Sequence, residues 1–438
     1  MIAVDSKILQ MINRHKSGYA VGFTSICSAN YYVIKAAILN AKKNNQLLLI
    51  ESTSNQVDQF GGYTGFTPLQ FKKTVFEMAS SLNFPLEKII LGGDHLGPNR
   101  WQDESSISAM QKAKEQIAAY VSSGFTKIHL DATMKCAEDG DQKFALDPSI
   151  IAERSAILCK VSEDSVLNKG DGELPVYVVG TDVPPPGGAK NHLEYVHITS
   201  ADEVEETIAL TKRAFQKYGL DDVWERVIGV VVQPGVEFGD STVYDYNRNN
   251  SNALVKFIEN SPTLVYEAHS TDFQKKELLK QMVEDHFAVL KVGPWLTYKF
   301  REAVFALAFI EQEMLGNKKG ILLSDLIEVI DQRMIEYPKY WEKYYTGTEE
   351  ENKLKRKYSY SDRIRYYWSD NIVDEALKRL LINITKNKIP QTLMSQYLPE
   401  EYDVIRNGII SENPEEIILH KISEALEIYN FATSGGKK

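Results

Sequence analysis

A chain of 438 residues, 43% hydrophobic and 25% charged, carries enough apolar side chains for a large core, and its length suits an α/β barrel with an addition. Its 50 basic and 60 acidic residues leave a formal charge of −10, which argues against a general affinity for nucleic acid or anionic membrane but allows a local basic pocket for a phosphate. Cys27, Cys136 and Cys159 are far apart and form no CxxC pair, so neither a disulfide framework nor a cysteine zinc site is expected, and a reducing compartment is.

The start, MIAVDSKILQMINRHKSGYA, lacks the basic-then-apolar layout of a signal peptide, and no apolar run reaches the ~18 residues of a membrane span. A soluble, cytoplasmic protein is expected. Short apolar runs then recur, each ending in polar or glycine-rich residues. They are AVGFTSICSAN (20–30), QLLLIESTSNQ (46–56), KIILGGDHLGPN (88–99), KIHLDATM (127–134), VYVVGTDVPPPGG (176–188), RVIGVVVQPGVEFG (226–239), TLVYEAHSTDF (263–273) and AVLKVGPWLTY (288–298). Between them lie stretches such as ANYYVIKAAILNAKK and VEETIALTKRAFQKYG, apolar at three- and four-residue steps. Buried parallel strands alternating with outer helices predict a (β/α)8 barrel over residues 1–320. The alternative, an open doubly wound sheet, should show a GxGxxG near its first strand, and none is there. After about residue 320 the chain reads as helices rich in tyrosine, with SDLIEVIDQRMIEYPKYWEKYYTG among them. Residues 321–438 are therefore expected as a helical extension that packs on the barrel or serves assembly into a homo-oligomer, with a frayed TSGGKK end.

A (β/α)8 barrel carries its active site at the C-terminal strand ends. Polar residues keep that phase here: Glu51 and Gln56, Asp94 and His95, Asp131, Asp182, Gln233 and Glu237, His269 and Asp272. In YEAHSTD, Glu267 and His269 are two apart on a strand and so face one side. The same alternation pairs His129 with Asp131, which reads equally well as a satisfied polar layer. His95 and His269, with Asp182 or Gln233 nearby, make a candidate nitrogen–oxygen set for a divalent metal, zinc first, able to polarise a carbonyl. His15, His192, His197, His286 and His420 fall on helices or outer loops and read as solvated. Lys291 is the one lysine expected inside a barrel strand, as an ion pair with an interior acid or as a Schiff-base amine for a ketose. The turns VPPPGG, QPGVEFG and KVGP, the last containing Gly293, could bring backbone amides to a phosphate.

The strings STSNQVDQFGGYTG, LGGDHLGPNRWQ, LDATMKCAEDG, VVGTDVPPPGGA, VVVQPGVEFGD, YEAHSTDFQ, KVGPWLTYKFREA, YPKYWEKYY, YSYSDRIRYYW and IPQTLMSQYLP resemble the Z-type subunits of class II tagatose-1,6-bisphosphate aldolase, the GatZ/KbaZ family, over essentially the whole chain. The resemblance implies a zinc-type class II aldolase barrel working on ketohexose phosphates. It also leaves two roles open: an accessory subunit for a separate catalytic aldolase, or a C4 epimerase of ketohexoses or their 6-phosphates. Asp94 and His95 match the aldolases' third-strand pair, in which the Asp handles the C4 hydroxyl proton and the His binds metal. His269 fits their strand-seven histidine, but strand six offers Gln233, so Asp182 or Gln233 would have to complete the metal set. The expected function is a metal-dependent C4 epimerase of the fructose 6-phosphate/tagatose 6-phosphate type, by retro-aldol cleavage and re-addition. Asp94 or Asp182 would serve as base, with Glu51 and Asp131 as further catalytic acids, and Gln56, Asn99, Glu267, Ser270, Asp272, Lys291 and Gly293 would line the sugar.

Overall fold

The computed structural model describes residues 6–141, 145–169, 173–180 and 196–437. Eight parallel strands close into a barrel: β1 (Phe23–Ile26), β2 (Leu48–Thr53), β3 (Ile89–Leu96), β4 (Lys127–Leu130), β5 (Val176–Gly180), β6 (Val227–Val232), β7 (Val265–Ala268) and β8 (Phe287–Val292). Each strand pairs with its neighbours in sequence, and β8 closes on β1 with Lys291 beside Ser25. Runs such as VIGVVV, buried along their whole length, suit strands covered on both faces.

The covering helices are α2 (Tyr31–Lys43), α3 (Pro68–Ser81), α4 (Ser106–Ser122), α5 (Pro148–Lys169), α6 (Ala201–Lys217), α7 (Asn252–Glu259), α8 (Lys276–Glu284) and α9 (Pro294–Leu315). Their starts are set locally. Asn30 Oδ1 accepts from the amides of Tyr32 and Val33, and Thr67 and Ser200 form capping boxes with Gln70 and Glu203. A first helix, α1 (Lys7–Lys16), plugs the N-terminal mouth by setting Ile8 and Ile12 against Phe23, Leu49, Ile90, Ile228 and Val289. That apolar plug closes the N-terminal mouth, and the polar strand ends lie at the opposite one.

The extension is helical: α10 (Leu326–Glu336), α11 (Glu349–Tyr358), α12 (Asn371–Lys386), α13 (Gln391–Tyr397), α14 (Pro399–Arg406) and α15 (Pro414–Thr433). Helix α15 packs on α2, α8 and α9, which ties the extension to the barrel wall. The helix expected through SDLIEVIDQRMIEYPKYWEKYYTG stops at Glu336, because Pro338 disfavours helix in the residue before it. The tail is not frayed: Ser434–Lys437 pairs antiparallel with Tyr19–Val21. Nor is His15 solvated. It is 1% exposed, and its ring nitrogens lie 2.7 Å from Val21 O and 2.9 Å from His286 Nδ1. His192 lies outside the described residues.

Candidate active site and metal centre

A group of metal-ligating side chains sits at the C-terminal mouth. Asp94, His95, His129 and His269 are all buried, and one ligand atom from each lies within 4.8 Å of the others. The rings of His95 and His269 are 4.8 Å apart between centroids, those of His95 and His129 5.0 Å, and those of His129 and His269 5.2 Å.

Strand alternation alone would send adjacent residues 94 and 95 to opposite faces. The backbone prevents it. His95 has a left-handed φ of 50°, and the β3–β4 register slips between Gly93 and Leu96. This is a bulge that re-aims a side chain, and the left-handed conformation of a non-glycine residue costs about 1–2 kcal/mol that the surroundings must offset. Gly97 brings the following turn so close to β4 that a Cβ there would lie 1.7 Å from Asp131 O.

Each imidazole is backed by a carboxylate. His95 Nδ1 is 2.6 Å from Asp131 Oδ2, His129 Nδ1 is 3.0 Å from Asp94 Oδ1, and His269 Nε2 is 3.0 Å from Glu267 Oε1. Such contacts orient metal-ligating histidines and raise their basicity. Burial brings the His269 pKa down to about 3, so its ring is neutral near pH 7. Burial also opposes charge on His95, yet Asp94 and Asp131 outweigh it and raise that pKa. His129 Nε2 is buried without a hydrogen-bond partner, an orphan of the kind that a bound cation would satisfy. Three imidazoles suit zinc or a related divalent ion, with Asp94 beside them. The residues present fit a metal.

Beneath this group lies a layer of buried charges. Lys127 Nζ is 2.8 Å from Glu51 and 2.6 Å from Glu267, while Lys291 Nζ is 2.8 Å from Glu51, 2.7 Å from Asp94 and 3.5 Å from Glu267. Ser25 donates to Glu51 at 2.6 Å. Gly92, paired with Glu51 across β2–β3, makes room for this layer, since a Cβ there would lie 2.7 Å from Glu51 Cγ. Burial opposes the Lys291 ammonium, but Asp94, Glu267 and Glu51 hold its pKa well above the usual lysine range. Of the two roles expected for Lys291, these contacts match the ion pair with interior acids, and Lys127 joins it as a second strand lysine. Burial likewise disfavours the Asp94 carboxylate, and His95 and Lys291 overcome it, keeping Asp94 ionised.

The cleft above is walled in part by Gln56, Asp94, His95, His269, Ser270, Asp272, Lys291 and Gly293. Glu51 and Glu267 lie below it, fully buried. Asp131 stands behind His95. Asn99 is buried in the short turn Pro98–Trp101 and is not among the residues that line the cleft. Gln233, expected as a ligand, stays out of the cluster because its side-chain oxygen accepts from the amides of Gly235 and Val236 and shapes its own turn. His129 from β4 supplies the third imidazole instead. Asp182 and the VPPPGG turn lie outside the described residues. Near the wall, Glu237 is 1% exposed and burial raises its pKa to about 7. Residues that the sequence did not point to also reach the cleft: Cys27 and Tyr63 from barrel loops, and Arg365 and Tyr366 from the extension.

The model of the D-tagatose-1,6-bisphosphate aldolase subunit GatZ/KbaZ-like family matches residues 8–434, and the chain belongs to that family. Among solved structures, a probable tagatose 6 phosphate kinase from Sinorhizobium meliloti 1021 is 41% identical, with a TM-score of 0.85 over 94% of this chain and 100% of that one. The YdjI aldolase of Escherichia coli K12 is 12% identical (TM-score 0.42, 88% of this chain, 99% of that one). Fructose-bisphosphate aldolase of Campylobacter jejuni is 15% identical (TM-score 0.43, 86% of this chain, 92% of that one). No helix among the described residues is long and apolar enough to cross a membrane.

Proposed function

From membership of the GatZ/KbaZ-like family and from this site, we propose that the protein is a divalent-metal-dependent C4 epimerase of ketohexose phosphates of the fructose 6-phosphate/tagatose 6-phosphate type. The observation that carries the reading is the convergence of His95, His129 and His269, each backed by a carboxylate, with ionised Asp94 at the barrel mouth. Zinc is the first choice of ion, and when bound it would act as a Lewis acid that polarises the ketose carbonyl. The name of the S. meliloti relative, which links that protein to tagatose 6-phosphate, supports the choice of sugar.

The chain's own residues supply the rest. Asp94 accepts the proton of the C4 hydroxyl. The C3–C4 bond breaks, its electron pair moves toward C2, and the products are an enediolate of C1–C3 and an aldehyde of C4–C6. Lys291, fixed 2.7 Å from Asp94, offsets negative charge close to the reacting atoms without losing its own proton. If the walls retain the aldehyde while it presents its other face, C3 re-adds, Asp94 returns the proton, and C4 is inverted. Retention separates this outcome from net cleavage, so positioning decides the product.

The competing reading is an accessory subunit for a catalytic class II aldolase, and the family's description as an aldolase subunit supports it. One experiment separates them. The pure, metal-loaded chain is incubated with fructose 6-phosphate, with and without a chelator, and the sugar phosphates are resolved. Chelator-sensitive formation of the C4 epimer supports the enzyme. No conversion, together with higher activity or stability of an added class II aldolase, supports the accessory role.

A further inference from the structure

The start of α9 follows directly on β8 at the mouth of the barrel. In (β/α)8 folds the loops after the seventh and eighth strands and a nearby helix start commonly seat a phosphate, because free amides and the helix dipole favour an anion. Here a side chain already holds that place. Asp272 Oδ1 accepts from the amides of Gly293 at 3.0 Å and Trp295 at 2.8 Å, and the residue is 2% exposed. A dianion arriving there would meet a buried carboxyl group and find both amides engaged.

The cation that reaches the same cleft comes from the extension. Arg365 stands in the short turn Arg363–Tyr367 and lines the cleft with His95, His269 and Asp272. Its guanidinium donates to the carbonyls of Ser361 and, at 3.1 Å, Asp362, and to Tyr366 Oη at 2.9 Å. Those contacts fix its direction, and no carboxylate among the described residues lies within 4.0 Å of its guanidinium nitrogens, while the charges of Asp362 and Asp272 act on it from farther off. Its neighbours are committed elsewhere: Arg301 pairs with Asp362 at 3.0 Å, and Arg363 donates to Tyr340 O at 3.0 Å. A half-buried arginine held by neutral groups at the wall of a cleft is the donor a phosphate requires. Tyr63 and Tyr366, whose rings lie 4.7 Å apart, add hydroxyls to the same wall.

We propose that Arg365, presented by the C-terminal extension, is the anchor for the phosphate of the sugar substrate and makes the barrel selective for phosphorylated ketoses. The inference rests on the reading of the site as one for ketohexose phosphates. The test compares the full-length, metal-loaded wild type with Arg365→Gln and Arg365→Lys. It measures kcat/KM on fructose 6-phosphate and on fructose, and calorimetric binding of fructose 6-phosphate with inorganic phosphate as competitor. In Arg365→Gln the preference for the phosphorylated sugar falls by about 10- to 100-fold, mostly through KM, and phosphate no longer competes, whereas Arg365→Lys recovers part of the loss. Equal losses on both sugars, or an unchanged preference, overturn the proposal. If the wild type turns over neither sugar, the epimerase reading fails separately, and binding decides: weaker fructose 6-phosphate binding by Arg365→Gln upholds the anchor, and equal binding, or none by the wild type, overturns it. Melting curves of both variants confirm the fold.

Discussion

Replacing Asp131 with asparagine changes one hydrogen-bonding group behind the cluster and leaves the candidate ligands in place. The two carboxylate oxygens of Asp131 do different work: Oδ2 is 2.6 Å from His95 Nδ1, and Oδ1 accepts from the amide of Thr133 at 3.1 Å and its hydroxyl at 2.6 Å. Asparagine keeps an acceptor for Thr133, so the turn after β4 should hold. It places an amide group against His95, which loses its charged acceptor. Loss of such an orienting carboxylate typically weakens metal binding or activity by about 10- to 100-fold. That corresponds to about 1.4–2.7 kcal/mol. Competition with a chromophoric chelator, on wild type and Asp131→Asn at equal ionic strength, measures it. Affinity within twofold of the wild type would refute the argument that Asp131 orients His95 for a metal.

Glu237 gives a pH test of stability. Its folded pKa of about 7 lies above the usual glutamate value, so the folded state binds the proton more tightly than the unfolded one, and stability falls as pH rises from about 4.5 through 7. Glu237→Gln should therefore be more stable than wild type at pH 8, by up to about 3 kcal/mol, and no more stable at pH 4, by urea unfolding; an identical pH trend in both proteins would contradict this. Gly92→Ala should cost about 1–3 kcal/mol, because the new methyl group meets Glu51 Cγ at 2.7 Å in a layer of paired charges, and unchanged stability would count against that layer. Borohydride added with fructose 6-phosphate should leave Lys291 unmodified by mass spectrometry, since Asp94, Glu51 and Glu267 keep its ammonium charged; a trapped adduct would return the Schiff-base reading.

The barrel was legible because eight β-rich runs with polar ends keep one phase; seven strands lie inside those runs, and β8 begins one residue before its run. Alternation also put Glu267 and His269 on one side, and both side chains do point inward to the shared charge layer. The third imidazole was visible as a type and not as a partner. KIHLDA showed His129 and Asp131 on one face, but only the β3–β4 pairing with its slipped register brings His129 next to the bulge at His95. That bulge depends on a positive φ at a histidine, which no composition rule announces. Gln233 shows the reverse error: a polar residue at a strand end in the right phase, with its oxygen committed to its own turn. Arg365 could not be found by pattern, because its place depends on how the extension crosses the mouth, a contact set by tertiary packing.

Cleavage and re-formation of the C3–C4 bond beside the imidazole cluster are tested most directly by NMR of the metal-loaded protein turning over fructose 6-phosphate in D2O. Cleavage and re-addition move no carbon-bound hydrogen, so the C4 epimer should accumulate with protium at C3 and C4. Deuterium at C4 of the product, or no epimer from a protein shown to hold its metal, would contradict the account.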